Sequence, residues 1–260
     1  MPLSQPLPVS LITITQLKRS ACLLNLYELI KLQKYKNIIE WIIVEGSPLE
    51  EDSHKNKEKV EKLIASHQLT ESMVINYVEY SGPNNKLSDL RNIGNNRCCG
   101  DIIVCMDDDD YYPPERVSHA VARLVGSSKL IAGCSDIYMY EYFLNKLYKF
   151  KKFGENHSTN NSMAFKKEYL KTHSHQAGLS SGEEVSFTYG FREPMVQLSA
   201  HKCIILSSHD NNTFNKRDLC IASSAGKYNY LHEIVDKTVN DYIPIEIFER
   251  MKSIFLCNDI

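Results

Sequence analysis

Residues 102–117 read IIVCMDDDDYYPPERV. The very apolar run 102–106 describes a buried strand, and it leads directly into Asp107, Asp108, Asp109 and Asp110. Pro113 and Pro114 follow and suit the start of a helix. Pleating sends alternate side chains to opposite sides, so Asp107 and Asp109 are expected to converge. Carboxylates that close raise one another's pKa, a cost that a divalent cation removes by taking oxygen ligands. An all-oxygen set favours Mn²⁺ or Mg²⁺ over thiolate-seeking metals. An acidic run alone is more often a solvated turn; its place at a strand's carboxyl end favours a site.

On the N-terminal side the pattern repeats. Strands are expected over 9–14, 38–44 and 73–78, alternating with a helix capped by Ser20 that buries Leu23, Leu24, Tyr27 and Ile30. A charged helix over 55–66 and a helix over 87–99 with Gly94 inside it follow. Strand and helix in alternation imply an α/β fold with a mostly parallel sheet and helices on both faces. In such sheets ligands bind beyond the carboxyl ends of the strands, which singles out Glu45 after the second strand and Asp107 after the fourth. Past residue 130 the alternation fades. Short strands are expected over 130–134, 162–165, 195–198 and 203–206, and a terminal helix over 241–256 interrupted early by Pro244, while the Tyr- and Lys-rich segment 136–153 reads equally as helix or strand.

With 43% hydrophobic and 24% charged residues the chain of 260 has an ordinary globular composition, which excludes intrinsic disorder. Its 30 Lys and Arg against 32 Asp and Glu leave a net charge of −2, so no field draws it to a nucleic acid polymer. Pro2, Pro6 and Pro8 interrupt the opening stretch, which lacks basic residues ahead of its apolar part, unlike a signal peptide. No apolar run reaches the roughly 18 residues that span a bilayer, and the expectation is a soluble, cytoplasmic protein. Of eight Cys, Cys22, Cys105, Cys134 and Cys203 sit in apolar segments as buried hydrophobes, Cys98 and Cys99 are adjacent, and no C-x-x-C spacing indicates zinc or redox chemistry. Neither a G-x-x-x-x-G-K-[ST] loop nor a G-x-G-x-x-G turn follows the first strand, which removes the main support for P-loop and dinucleotide-binding readings.

Five segments in order, VSLITITQLKR, EWIIVEGS, LSDLRNIGNNRCCGD, MDDDDYYPPERV and GEEVSF, resemble a GT-A glycosyltransferase, and family 2 in particular. The resemblance covers residues 9 to about 217 and implies one GT-A domain over 1–217: a nucleotide-sugar-binding half (9–117) and an acceptor and catalytic-base half (118–217), followed by a C-terminal helical segment (218–260). It implies a metal-dependent, inverting hexosyltransferase-type enzyme that moves a sugar from a nucleotide-diphospho-sugar, a UDP-sugar in first place, to a hydroxyl of a glycan or protein acceptor. The family's D-x-D element, which binds metal and diphosphate, is matched by Asp107 and Asp109, with Asp108 between them facing the donor.

Further roles follow by the same resemblance. Glu45 matches an acidic residue that contacts the base or ribose, although Gly46 and Ser47 leave no second acid there; Arg19 closes the first nucleotide-binding loop. Arg91, Asn92 and Arg97 fall in a segment similar to the R-N-x-G helix, where an Arg meets phosphate or orients the acidic cluster. Glu183 and Glu184 match the G-E-D element, whose second acid is the catalytic base; Glu184 is the first choice and Glu183 the second, with Glu replacing the usual Asp. His209 matches a third metal ligand, Lys216 and Arg217 suit a departing diphosphate, and Asn160 and Asn161 fall where similar enzymes contact sugar or acceptor. Tyr138, Tyr140, Tyr142 and Tyr148 either stack an acceptor or pack a core.

Two alternatives remain. A sugar nucleotidyltransferase needs a Gly- and Lys/Arg-rich loop that VSLITITQLKR, without Gly, does not supply. A catalytically silent carbohydrate- or metal-binding module of the same fold is disfavoured because both acidic elements are present.

Overall fold

A computed structural model describes residues 5–47, 53–68, 73–80, 86–212 and 214–256. The first half is the expected alternation: β1 (Val9–Thr15), α1 (Ser20–Lys31), β2 (Ile38–Glu45), α2 (Ser53–Gln68), β3 (Val74–Glu79), α3 (Leu87–Asn95), β4 (Ile102–Cys105) and α4 (Arg116–Val125). The second half adds β5 (Ile131–Gly133), β6 (Tyr138–Glu141), β7 (Lys146–Phe150), β8 (Ala164–Lys166), α5 (Glu183–Phe187), β9 (Met195–Gln197), β10 (Ile205–Ser208), α6 (Lys216–Ser224), β11 (Leu231–Glu233) and α7 (Ile245–Leu256). The turn expected after β2 lies partly outside the described residues.

Seven strands form one sheet in the order β3-β2-β1-β4-β8-β5-β9. The first four are parallel, and β8 runs antiparallel between β4 and β5. Every residue of β1 is buried, because helices cover both of its faces. Val9, Leu11, Trp41 and Val104 pack on one side against α1 and α4; Ile12, Ile14, Ile42 and Ile103 pack on the other against Leu90 of α3, Tyr169 and Phe187. Polar residues of β1 are buried with partners. Trp41 Nε1 donates to Thr13 Oγ1 at 2.8 Å, and Thr13 Oγ1 donates to the Met106 carbonyl at 2.7 Å.

The Tyr-rich segment is a β6–β7 hairpin, turning through Asn145 at φ 55°, within a second sheet β10-β6-β7-β11. Tyr138, Tyr140, Tyr142 and Tyr148 are 7%, 4%, 2% and 1% exposed, so they pack the core around this sheet, Tyr140 and Tyr142 against Phe248 of α7, and supply no acceptor wall. The segment after residue 217 carries β11 as well as helix, paired antiparallel with β7. Ser20 does not cap α1: a 3-10 turn precedes the helix, Arg19 holds the cap position, and the Ser20 hydroxyl donates to Asn56 Oδ1 at 3.1 Å. The helix expected over 87–99 stops at Asn95, and α7 begins only after Pro244, which lacks the N–H a helix interior requires. Cys22, Cys98, Cys105, Cys134, Cys203 and Cys220 are free and buried. Among the described residues no helix is long and apolar enough to cross a membrane.

Two glycines set how closely the helical layer meets the sheet. A methyl group at Gly94 would come within 2.3 Å of Ile12 Cδ1, and one at Gly100 within 2.6 Å of the Ser10 backbone nitrogen. A side-chain end can rotate away and backbone cannot. Gly94→Ala, which also gains about 1 kcal/mol of helix propensity, is expected to be mildly destabilising, whereas Gly100→Ala falls at the upper end of the about 1–3 kcal/mol typical of overpacking. Urea denaturation of the two variants measures the order.

Candidate active site

The Met106 amide donates to the Ile12 carbonyl at 3.0 Å, and beyond it the chain leaves the sheet at the carboxyl edge. Pleating holds only within a strand, and β4 ends at Cys105, so what places Asp107 and Asp109 on one cleft is not strand alternation but two different arginines. Asp107 takes both outer nitrogens of Arg91 at 3.0 Å each. Asp108 accepts from Thr15 Oγ1 at 2.6 Å and lies against Arg19 Nη2. The same nitrogen sits 2.5 Å from Asp109 Oδ2, which also faces His209 Nε2 at 3.3 Å and accepts from Asn212 Nδ2 at 2.8 Å. Asp110 turns inward, accepting from the Ser207 amide at 2.8 Å and from Asn161 Nδ2 at 2.5 Å. Burial, joined by the charge of Asp109, pushes Asp110 well above the usual carboxylate range. Burial acts on Asp109 too, but the Arg19 guanidinium and the His209 hydrogen bond hold it well below that range.

Opposite the acidic run, α5 opens after Gly182, whose left-handed φ of 68° turns the chain into the helix. Glu183 is 3% exposed, and its Oε1 accepts from Arg91 Nε at 2.8 Å and from Asn160 Nδ2 at 3.3 Å. Glu184 is half-buried and faces the cleft; burial first, then the neighbouring Glu183 charge, raises its pKa above the ordinary glutamate range. Arg91 thus spends one edge on Asp107 and its remaining nitrogen on Glu183, joining the acidic run to the helix that carries Glu184.

These groups line a cleft of about 610 Å³. Of the residues the sequence points to, Arg19, Arg91, Asp107, Asp108, Asp109, Asn160, Asn161, Glu183, Glu184 and Lys216 all line it. His209 lies behind Asp109, buried, its ring stacked 4.1 Å from that of Phe255, and burial lowers its pKa despite the Asp109 hydrogen bond. The others are elsewhere. Glu45 is buried one strand away, in register with Thr15, and accepts from the Ser47 amide at 2.5 Å. Asn92 staples a loop, exchanging hydrogen bonds of 2.8 and 2.9 Å with the His175 backbone. Arg97 is exposed in the turn after α3, toward the amino end of β4 and so at the opposite edge of the sheet. Arg217 is taken up by Glu141 at 2.9 Å and Asp210 at 2.8 Å and lies over the Phe143 ring.

Thr15 and Asn212 are site residues that the sequence reading missed. Thr15 closes an apolar strand and Asn212 stands in an Asn pair 103 positions from its partner, so only an alternation of strand faces points to the first and nothing local points to the second.

The donor chemistry here suits a hard divalent cation: Asp108 Oδ1 is buried with only the Arg19 guanidinium against it, and the three contacts of Asp109 all fall on Oδ2, which leaves its Oδ1 for a further ligand. No three His, Cys, Asp or Glu side chains among the described residues already stand together as a ligand set, because Arg19 and Arg91 neutralise the carboxylates instead.

The family model for glycosyl transferase family 2 matches residues 12–182. No curated protein matches the sequence. Among solved structures, residues 1–349 of TarS from S. aureus share 15% identity over 77% of this chain at a TM-score of 0.58. This chain spans only 60% of that one. The mannosyltransferase PcManGT from Pyrobaculum calidifontis, solved with GDP-Man and Mn²⁺, shares 13% identity over 98% of this chain and 72% of its own, at 0.62. GalNAc-T7 with UDP, GalNAc and Mn²⁺ shares 11% over 79% of this chain and 44% of its own, at 0.56. All share the GT-A fold, an α/β architecture with a large, mostly parallel sheet.

Removing Arg91 leaves buried Glu183 and half-buried Asp107 facing each other without a cation. Arg91→Met is expected to cost about 3–5 kcal/mol of stability, the usual penalty for breaking a buried ion pair from one side. Chemical denaturation gives the value; a loss below about 1 kcal/mol excludes a desolvated pair.

Proposed function

The chain belongs to glycosyl transferase family 2, and from that premise we propose that it is an inverting, metal-dependent transferase moving a sugar from a nucleotide-diphospho-sugar to an acceptor hydroxyl. One observation carries this reading: a single cleft is walled on one side by the Asp107–Asp109 run with Arg19 and Lys216, and on the other by half-buried Glu184. Charge for a diphosphate and a base for a hydroxyl face the same space.

Arg19, beside Asp108 and Asp109, and Lys216, whose Nζ donates to the Ser207 carbonyl at 2.8 Å, are the cations for the donor's phosphates. Asp109, with Asp107 and His209, would hold Mn²⁺ or Mg²⁺, which when bound stabilises the negative charge of the leaving diphosphate. Glu184 accepts the proton of the acceptor hydroxyl as its oxygen attacks the anomeric carbon. The carbon–oxygen bond to the diphosphate breaks, and the nucleoside diphosphate departs from the opposite face with inversion. A carboxylate with a raised pKa is a stronger base and suits this task. Glu183, held by Arg91 and Asn160, positions the helix. A UDP-sugar is the favoured donor, supported by UDP and UDP-GlcNAc in the S. aureus structures; GDP-Man in the P. calidifontis structure makes GDP the second base to test.

The first experiment is a thermal-shift panel of UDP, UDP-GlcNAc, GDP and GDP-mannose with Mn²⁺ or chelator, since a ligand at about 100 times its Kd stabilises by roughly 2.7 kcal/mol. A shift with one nucleotide that fades in chelator and in Asp109→Asn is the expected outcome, and no shift with any of them overturns the reading. Once an acceptor is found, Glu184→Gln is expected to lower transfer by about 10²–10⁴ while nucleotide binding stays within about twofold. The base must be deprotonated, so kcat/KM rises with pH through a value above the ordinary glutamate range, and an acid limb at or below that range speaks against Glu184.

A further inference from the structure

Five aromatic rings from three segments of the chain meet at the surface, and none of them lines the cleft. Phe153 and His157 lie between β7 and β8, Phe191 follows α5, and Tyr228 and Tyr230 precede β11. In the order Phe191, His157, Phe153, Tyr230, Tyr228, successive ring centroids are 4.5, 4.8, 5.7 and 5.0 Å apart. Phe153 is 52% and Tyr228 42% exposed, and the other three are half-buried. Neighbouring planes are tilted by 34–49° along the strip, whereas in the core Tyr140 meets Tyr142 at 83° and Tyr169 meets Phe187 at 79°. Buried rings gain by meeting edge to face; those of the strip do not meet so, and keep their faces turned in similar directions.

One end of the strip is built into the site. Phe191 closes a run of three left-handed residues, Tyr189 at φ 50°, Gly190 at 72° and Phe191 at 58°, a backbone that bulky side chains adopt only where their surroundings hold it. Thr188 holds it: its Oγ1 accepts from the Phe191 amide at 3.2 Å and donates to the Glu184 carbonyl at 2.7 Å. A single hydroxyl thus ties the end of the strip to the residue proposed as base. His157, whose ring meets that of Phe191, stands two positions before Thr159, which lines the cleft. The strip therefore begins on the Glu184 side of the cleft and ends beside β11 of the second sheet.

Whatever lies on this strip must offer flat C–H surface and hydrogen-bonding groups together. The hydroxyls of Tyr228 and Tyr230 and the carboxamide of Asn229 make no hydrogen bond among the described residues. An acyl chain packed here would strip those groups of water without replacing it, whereas a sugar presents C–H bonds to a ring face and hydroxyls around its edge. Each step between rings is about the length of one sugar unit, so the strip accommodates several. Resting on the glycosyltransferase reading, we infer that it is the acceptor subsite and that the acceptor is an oligosaccharide, lying along the five rings with the hydroxyl of its terminal sugar at Glu184.

The test reads glycan binding apart from nucleotide binding. Chito-, cello-, laminari-, manno- and malto-oligosaccharides of increasing length are titrated calorimetrically, with Mn²⁺ and UDP or GDP present, into the wild type, Phe153→Ala and Tyr228→Ala. Both side chains are largely exposed, so both variants are expected to fold, and nucleotide affinity within about twofold of the wild type reports that they have. In the wild type at least one series binds, and its affinity rises with length. Phe153→Ala is expected to weaken short and long members about tenfold, and Tyr228→Ala, at the far end, only the long ones. No binding by any series, an affinity independent of length, or folded variants that bind as well as the wild type overturn the inference and leave the nucleotide site standing. A dimer in sedimentation velocity that Phe153→Ala dissociates assigns the strip to a second copy of the chain and overturns it as well. Absence of all nucleotide binding by the wild type overturns the glycosyltransferase reading and the acceptor role with it.

Discussion

A guanidinium in a place without water holds this site together. Arg91 is 4% exposed and meets two carboxylates that are 76 positions apart in the chain, one at the end of the central strand and one at the start of a five-residue helix. Placing charges there is unfavourable unless each is matched, and an arginine matches two because its nitrogens are fixed in a plane. The short helix is held from outside, because its N-cap is a glycine without a side chain to bond and it is too short to be stable from its own hydrogen bonds: Arg91 and Asn160 hold Glu183 at its start, and Phe187 at its end is buried against Phe165, Tyr169 and His175. Arg91 is the one residue that bridges the acidic run to that helix directly, and Gly94, three positions further along α3, lets α3 lie close on the sheet.

Arg19 performs a different task with the same chemistry. It stands between Asp108 and Asp109, which a metal or a diphosphate also engages on the proposed reading, so its contacts are ones that ligand binding rearranges. The Arg91 contacts, buried and bidentate, are a frame. Two arginines that look alike in the sequence are thus separated by what surrounds them.

The first four strands and their helices were legible because parallel strands covered on both faces are almost continuously apolar, and 102–106 and 38–44 can hardly be anything else. The acidic run and the Glu pair stood out as charge placed immediately after such segments. The second sheet was not legible. Its strands are three to five residues long, β6 and β7 alternate Tyr with Lys and Met, and their burial depends on β10, β11 and α7, none of which is adjacent in sequence. Within the candidate site, Asn92 and Arg97 lie on the same short segment as Arg91, yet a helix that runs antiparallel to the strands delivers only its first turn and a half to the carboxyl edge. Arg91 arrives there on the cleft side, Asn92 turns to the His175 loop, and Arg97 is carried to the far end.

His209 leans on a ring from almost the last described turn of the protein, Phe255, and α7 is also held to α1 by the 2.7 Å bond from Arg250 to Asn25. During synthesis this has an order. A nascent chain that has emerged through Lys216 already contains every charged side chain of the cleft, but not the aromatic wall behind His209 or the helix that closes the second sheet. Domains form as their last contacts become available. The first half can thus collapse early on the ribosome, while the imidazole that steadies Asp109 gains its stacking partner only after some forty further residues have been added, so the candidate site is completed later than the sheet that carries it.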